Sequence, residues 1–320
     1  MRRRTAIAGL ITLPFTIGSC GPFQPPRRLV IATGGVGGVY DKLGRSLAHW
    51  LRYHWGTSVE VRSTAASLEN LRLIASGEAH IGFSSLDAAA LAPAGMLPFP
   101  APLPIASLMR LYDEYLQIVV GGATPVWMLS DFTGGTVSVG SANSGTELLA
   151  TRLLEAAGLP EAAVKRVHLG VAESAEALRT GRINGFFFTS GLPAPAITEL
   201  SQKMPIRILS TDDYLKALVD RHNNVYFKRS IPARMYGLYS ETPTIGVPNI
   251  LVVGGGLDTE TAYRLTKMIF QLKPELMAAH GAARHVNERS AISTVPVPLH
   301  PGAVRYYREA KPMTTVEGPE

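Results

Sequence analysis

Short runs of apolar, often β-branched residues alternate along this chain with longer stretches whose apolar positions recur every three to four residues. That is the pattern of strands alternating with helices. Leu29–Thr33 predicts a first strand, followed by a glycine loop and a helix from about Asp41 to Tyr53 with Leu43, Leu47, Trp50 and Leu51 on one side. Val59–Ser63 predicts the next strand and Ser67–Ala75 a short helix. Ser76-Gly77 lies at its end, where a left-handed cap residue fits. Ile81–Ser84 predicts a third strand, and residues 91–104, rich in Pro and Ala, read as a surface loop.

A second series begins near Leu116. Gln117–Val120, Thr136–Gly140, Arg166–Leu169, Gly185–Phe188 and Ile206–Leu209 read as strands. Gly145–Ala157, a stretch near Ser174–Thr180 and another from about Ala194 read as helices. Pro248–Val253 predicts a returning strand, and Asp258 predicts the N-cap of a long helix through about Ala279. The alternation implies an α/β fold with largely parallel sheets. Its layout suggests two lobes, residues 28–118 with 248–320 and residues 119–247, joined by two crossing strands around a hinge and a ligand cleft. No internal repeat emerges.

Composition changes this picture little. Of 320 residues, 46% are hydrophobic and 18% charged, which suits a well-buried globular body large enough for two cores. The formal net charge is +6, and three of those charges are Arg2, Arg3 and Arg4, so a body cleaved after them carries +3. That is too mild and dispersed for a nucleic-acid footprint and compatible with gentle attraction of anionic solutes.

The N-terminus has its own logic. The cationic Met1–Arg4, the apolar Thr5–Ile17 and the small residues before Cys20 form a secretory signal over residues 1–20. The apolar run is well short of the ~20 residues that span a bilayer. Ile17-Gly18-Ser19-Cys20 resembles the lipobox of bacterial lipoproteins, in which the cysteine becomes the lipidated first residue and anchors the protein to the outer face of the membrane. An ordinary cleaved signal with a coincidental cysteine is the alternative. Residues 21–27 read as a Pro-rich tether. Cys20 is the single cysteine, so an intramolecular disulfide or cysteine metal site is excluded.

Three loops between a strand end and a helix start could hold a ligand. In the first, Thr33, Gly34, Gly35, Val36, Gly37 and Gly38 lead to Val39 and Tyr40. The glycines let a ligand approach the backbone, the following helix start favours an anion, and Tyr40 could wall a small pocket. The loop lacks the Gly-Lys-Ser/Thr of a phosphate loop, and Tyr40 occupies the last glycine position of a dinucleotide fingerprint. A tight structural turn is the remaining alternative. The second loop, Gly140–Glu147, offers Asn143, Ser144, Gly145 and Thr146 as donors, and plain N-capping by Asn143 or Ser144 competes with that reading. Gly-x-Ser-x-Gly is not satisfied around Ser144. In the third, Ser190, Gly191 and Pro193 are better placed to touch a ligand than Phe186, Phe187 and Phe188, which read as core. His280/His285 and His49/His54 are each five apart, a poor fit to one helical face, and no carboxylates pair as acid and base. The expectation is a protein with no cofactor, no metal and no catalytic residue.

Taken in order, these stretches are recognisable. Thr33–Tyr40, Ser67–Leu73 with Ser76-Gly77-Glu78, Leu111–Tyr115, Val137–Leu159, Gly181–Phe188, Val247-Pro248 and Pro298–Tyr307 resemble the TAXI family. These TRAP-associated extracytoplasmic immunogenic proteins are the solute receptors of tripartite ATP-independent periplasmic (TRAP) transporters. The resemblance spans about Leu29 to Glu309. It implies a two-lobed type II periplasmic-binding-protein fold, a monomer that closes on a small carboxylate such as glutamate, glutamine or 2-oxoglutarate and delivers it to a membrane permease. Carried over by motif, Thr33–Tyr40 would wall the cleft from the first lobe, with Ser67 and Ser85 nearby, and Ser144-Gly145-Thr146 would supply donors from the second. The chain departs from the family at Ala65-Ala66, where two glycines are usual, at Asp41, where a second tyrosine is common, and at Ser85, where a glutamine is common. The last change removes a long amide from the pocket edge. An arginine clamp is open, and Arg62, Arg110 and Arg234 serve equally as surface charges. A ligand sensor read by a membrane kinase is the alternative role, and an enzyme would need a catalytic constellation that does not emerge.

Overall fold

A computed structural model describes residues 23–222 and 225–310. The signal segment 1–20, with Cys20, and the first two residues of the tether lie outside the described residues. Among the described residues, no helix is long and apolar enough to cross a membrane.

The chain runs through ten strands: β1 (Arg28–Ala32), β2 (Ser58–Arg62), β3 (Ile81–Ser85), β4 (Ile105–Gly121), β5 (Thr136–Ser138), β6 (Lys165–Val167), β7 (Gly185–Ser190), β8 (Ile206–Ile208), β9 (Phe227–Ile231) and β10 (Thr242–Gly254). The helices between them are α1 (Val39–Trp55), α2 (Ser67–Ala75), α3 (Leu86–Ala94), α4 (Gly145–Ala156), α5 (Val171–Arg179), α6 (Pro195–Lys203) and α7 (Leu215–His222). After β10 come α8 (Thr259–Gln271), α9 (Lys273–Ala279), α10 (Glu288–Ala291) and α11 (Pro301–Ala310). Strands and helices alternate as predicted, but the sheet is mixed rather than largely parallel, because the long strands β4 and β10 pair antiparallel with every neighbour. The sheet order is β2-β1-β3-β10-β4-β7-β5-β6, with β8 on β4 and β9 on β10. The β1–β3 and β5–β7 groups pair in parallel, and the pairings involving β4 and β10 are antiparallel.

The two long strands tie the groups together. β4 pairs with β10 over its first part and with β7 from Tyr115 onward. β10 pairs with β9 up to Gly246 and with β3 from Asn249. Pro248, which has no N–H to donate, sits in the gap between those two neighbours, where a central strand tolerates it. Both long strands read as nearly continuous buried runs because helices cover both faces. One apolar cluster packs α1, α8 and α9 on β1, β3 and β10, another packs α5 and α6 on β7 and β8, and a third joins α2 and α3 to α4 and α7.

Three further expectations are corrected. The surface loop read over 91–104 begins later: helix α3 runs to Ala94, and the mostly exposed loop that follows tucks Phe99 into the core. The helix propensity of the α3 alanines outweighs Pro93, which falls in the last turn. The long helix from Asp258 is two helices, broken at Leu272 because Pro274 fits only a first turn. The tether is not wholly free of the body, since the Phe23 ring packs edge-on against Trp55 at 5.4 Å and beneath the Arg264 guanidinium at 4.4 Å.

Candidate functional site

Four helices start at one place. The first residues of α1, α2, α4 and α5 all line a cavity with about 90 Å³ of space for the centres of water-sized atoms. No N-cap side chain occupies the starts of α1, α2 or α5, whose N-cap residues are Gly38, Ala66 and Gly170. The first-turn N–H groups and the helix dipoles favour negative charge at the four starts, an effect partly offset by the first-turn acids Asp41, Glu69, Glu147 and Glu173. Its walls are mainly rings and aliphatic side chains, from Tyr40, Tyr112, Leu169, Val171, Phe187 and Phe188.

The floor is polar. Tyr112 and Glu114 stand two apart on β4 and so share a face. Glu114 Oε1 accepts from the Tyr40 hydroxyl at 2.5 Å and from Asn249 Nδ2 at 3.1 Å. Asn249 also donates to Tyr40 Oη at 2.7 Å and to the Ser84 carbonyl. Burial pushes the Glu114 carboxyl up from 4.5 to about 8; the donors Tyr40 and Asn249 pull the other way, while the Asp87 charge adds to the rise. Burial likewise raises the Tyr40 and Tyr112 hydroxyls well above the ordinary phenol value, with Glu114 adding to both. The Tyr112 hydroxyl is buried and has no hydrogen-bond partner in the protein. Among the described residues lining the cavity, Glu114 is the one carboxylic acid, and none is Lys, Arg or His.

Of the sequence candidates, Gly34, Gly35, Gly38, Tyr40, Ser67, Ser144, Gly145, Thr146 and Ser190 line this cavity. Ser144 is also the N-cap of α4, its hydroxyl accepting from Glu147 N at 3.0 Å, so capping and cavity wall coincide there. The Thr146 hydroxyl is shared with Thr189 at 2.8 Å. Gly140, which precedes them, has φ +94°, and a Cβ there would lie 2.7 Å from Thr146 Cγ2. Only glycine lets the β5 end turn so tightly under α4.

Seven candidates fall elsewhere. Thr33 is buried in the turn, bonding Arg62 O through its hydroxyl and accepting from Asn70 at its carbonyl. Val36 is 73% exposed, and the Gly37 N–H is held by Asp41. Ser85 backs the wall, donating its N–H to Ser67 Oγ. The other three form contacts between the β1–β3 side and the β5–β7 side. Asn143 O accepts from Glu69 N and its side chain from Arg72. Gly191 abuts Ala282 and Tyr112, and Pro193 O lies 3.2 Å from His280 Nε2. Three side chains left open as a clamp are also elsewhere: Arg62 pairs with Glu60 and Glu78, Arg110 with Asp113, and Arg234 occupies a left-handed turn.

Phe187 and Phe188, expected in the core, contribute to the wall, although Phe187 is also fully buried. Tyr112 and Glu114 were missed. No local signal singles out Glu114 from its neighbour Asp113 in the strand. Among the described residues, no group of three or more His, Cys, Asp or Glu side chains could hold a metal ion.

A family model described as the NMT1-like family matches residues 31–310. The chain is similar in structure to a protein described as a periplasmic transporter, at 12% identity and TM-score 0.53, over 89% of this chain and 93% of that one. A Xanthomonas citri protein bound to chloride ion matches at 15% identity and TM-score 0.51, over 88% and 95%. A Bordetella bronchiseptica RB50 protein matches at 16% identity and TM-score 0.50, over 90% of each chain. At such identities the likeness is one of fold, the type II periplasmic-binding-protein architecture.

Proposed function

The chain belongs to the NMT1-like family, and from that premise we propose that it is an extracytoplasmic solute-binding receptor and not an enzyme. It captures a small carboxylate outside the cytoplasmic membrane and hands it to a membrane permease. The observation that carries this reading is the cavity on which four helix N-termini converge, a ready site for an anion. Residues 28–118 with 248–320 form one lobe and residues 119–247 the other, and closure about β4 and β10 lets both contact the solute. Affinity then comes from the closed state, which alone completes the site. The contacts at Asn143, Gly191 and Pro193 are those a closed clamp would make.

The permease is of the TRAP type and the solute an amino acid, dicarboxylate or keto acid such as glutamate or 2-oxoglutarate, a reading that the ordered TAXI-like stretches support. Cys20 carries the lipid that holds the receptor at the outer face of the membrane. Native mass spectrometry of protein purified from its own periplasmic extract tests the function. A co-purified small acid is expected, and its release should lower the melting temperature. A protein that carries no solute and gains no thermal stability from any amino, keto or dicarboxylic acid is not this receptor.

A further inference from the structure

We infer that Glu114 and Tyr112 make the cavity select small organic acids that carry no ammonium group, with the Glu114 carboxyl donating a hydrogen bond to the bound anion. The inference rests on the receptor reading above and narrows its ligand class.

Charge supplies the first step. Four helix starts face the cavity, and no cationic side chain among its described lining residues competes with them or supplements them. Partial positive charge at helix N-termini draws an anion. Yet the same lining holds a carboxyl. An ionised Glu114 beside a ligand carboxylate would set two like charges in one dry site, which is strongly disfavoured.

The hydrogen bonds resolve the conflict. Both donors that reach Glu114, Tyr40 and Asn249, go to Oε1, so a proton on this acid sits on Oε2. The groups around it keep it there. From α1 comes Tyr40, from β4 itself Tyr112, from β10 the Asn249 amide and from α2 Ser67 beside Tyr40. From α3 comes Asp87, whose negative charge is shared with Arg152 and Tyr226 behind it. Burial dominates, and the acid is neutral at pH 7. Neutral Glu114 becomes a donor.

Tyr112 is the independent observation. Tyr112 is 2% exposed and lines the cavity, and its hydroxyl is buried with no protein partner. A buried hydroxyl without a partner is rare in a folded protein. Together Glu114 Oε2–H and Tyr112 Oη–H present two donors to an acceptor on the ligand. An ammonium would instead need about three acceptors in place of water. Here the one charged acceptor would be Glu114 itself, after losing its proton. The other side-chain acceptors in the lining, such as the hydroxyls of Ser67, Ser144, Thr146 and Ser190, are neutral and bring no charge to offset an ammonium.

Calorimetry with matched pairs sharing a carbon skeleton tests this: pyruvate with alanine, 2-oxoisovalerate with valine, 2-oxoglutarate with glutamate. Wild type, Glu114→Gln and Tyr112→Phe are titrated from pH 6.5 to 9.5. The oxo acid of the binding pair is expected to bind at least about tenfold more tightly than its amine partner, the margin for leaving an ammonium unsatisfied. Its affinity should fall about 30-fold between pH 7 and 9.5, as an acid titrating near 8 is lost. Heats measured in buffers of different ionisation enthalpy should show proton uptake on binding at pH 9. Glu114→Gln, which keeps a donor but cannot ionise, should flatten the profile and bind more tightly than wild type at pH 9.5. Tyr112→Phe should weaken binding about five- to tenfold.

Preference for the amine, proton release on binding, or a flat wild-type profile overturns the inference. The wild-type pH profile and proton count need no variant, so they decide even where Glu114→Gln does not fold. If no member of any pair binds, the small-acid assignment falls. The receptor reading falls separately, if native mass spectrometry also finds no co-purified solute of any kind.

Discussion

The Tyr40 hydroxyl lies 2.5 Å from Glu114 Oε1, joining the first turn of α1 to the middle of β4 across 74 residues of sequence. Asn249 closes the triangle from β10, so three segments distant in the chain meet at one oxygen. Tyr40→Phe isolates the hydroxyl, because the ring keeps its stacking on Phe83 at 5.2 Å. Loss of this buried hydrogen bond should cost about 1–3 kcal/mol in urea denaturation. Because this bond holds the Glu114 carboxyl down, its removal should move that carboxyl further up. A variant as stable as wild type would mean that the triangle adds nothing to the fold.

Glu114 also sets a pH dependence of stability. Its folded value, about 8, lies above the ordinary 4.5. Below pH 4.5 both states hold the proton, and the stability tied to it is fully present. As pH climbs from there through 8, the unfolded chain gives up a proton that the folded protein keeps, so this stability is lost. Glu114→Gln has no such loss. Its advantage over wild type should be absent at pH 4, grow across that window and level off above 8, reaching at most roughly 5 kcal/mol. Melting curves at pH 4, 6 and 9 check it; a constant offset would place the titration elsewhere.

A second buried polar group ties α3 to α4. Tyr226 donates to Asp87 Oδ2 at 2.7 Å, and Arg152 Nη1 donates to Tyr226 Oη at 2.7 Å while lying 3.6 Å from Asp87. Asp87 is almost wholly buried. Arg152→Ala strands its charge with two neutral donors, Tyr226 and the Ala88 N–H, and such removals cost about 3–5 kcal/mol. Pairing it with Asp87→Asn should recover a large part of that loss. Chemical denaturation of the double-mutant set measures both, and strictly additive losses would mean that the pair is not coupled.

How far the chain could be read follows from where its information is local. Strand and helix alternation is local, and so are caps: Asp258 accepts from Thr261 N as its position predicts. Proline density misled at Leu91–Ala94, where alanines win, and Pro274 was the overlooked break after α8. The cavity loops were visible as glycine-rich or small-residue turns before helices, but which face each residue takes is set by partners elsewhere. Val36 follows the cavity residue Gly35 in the chain and still faces solvent. Tyr112 and Glu114 alternate along β4 as the wet face of a half-buried strand would. Only the distant Asn249 and Tyr40 mark that face as a cavity floor.

Gly145 tests whether the two sides move. A Cβ there would lie 2.6 Å from Ser85 Oγ, 2.7 Å from Ser67 Oγ and 3.2 Å from Ser67 Cβ. The Ser85 hydroxyl can rotate, but Ser67 Cβ is fixed to the start of α2. Gly145→Ala therefore has to push α4 back from α2 and β3. In a hinged receptor that displacement is opening, and ligand affinity falls with the fraction of molecules able to close. A penalty of about 1.4 kcal/mol on the closed state would weaken binding about tenfold with the cavity's donors unchanged. Adding Ser67→Gly removes the fixed contact and should restore much of the affinity, while X-ray scattering should find Gly145→Ala more extended than wild type under saturating solute. If Gly145→Ala instead binds as tightly as wild type and scatters identically, the start of α4 does not press on α2 in the liganded state, and closure about β4 and β10 is not what grips the solute.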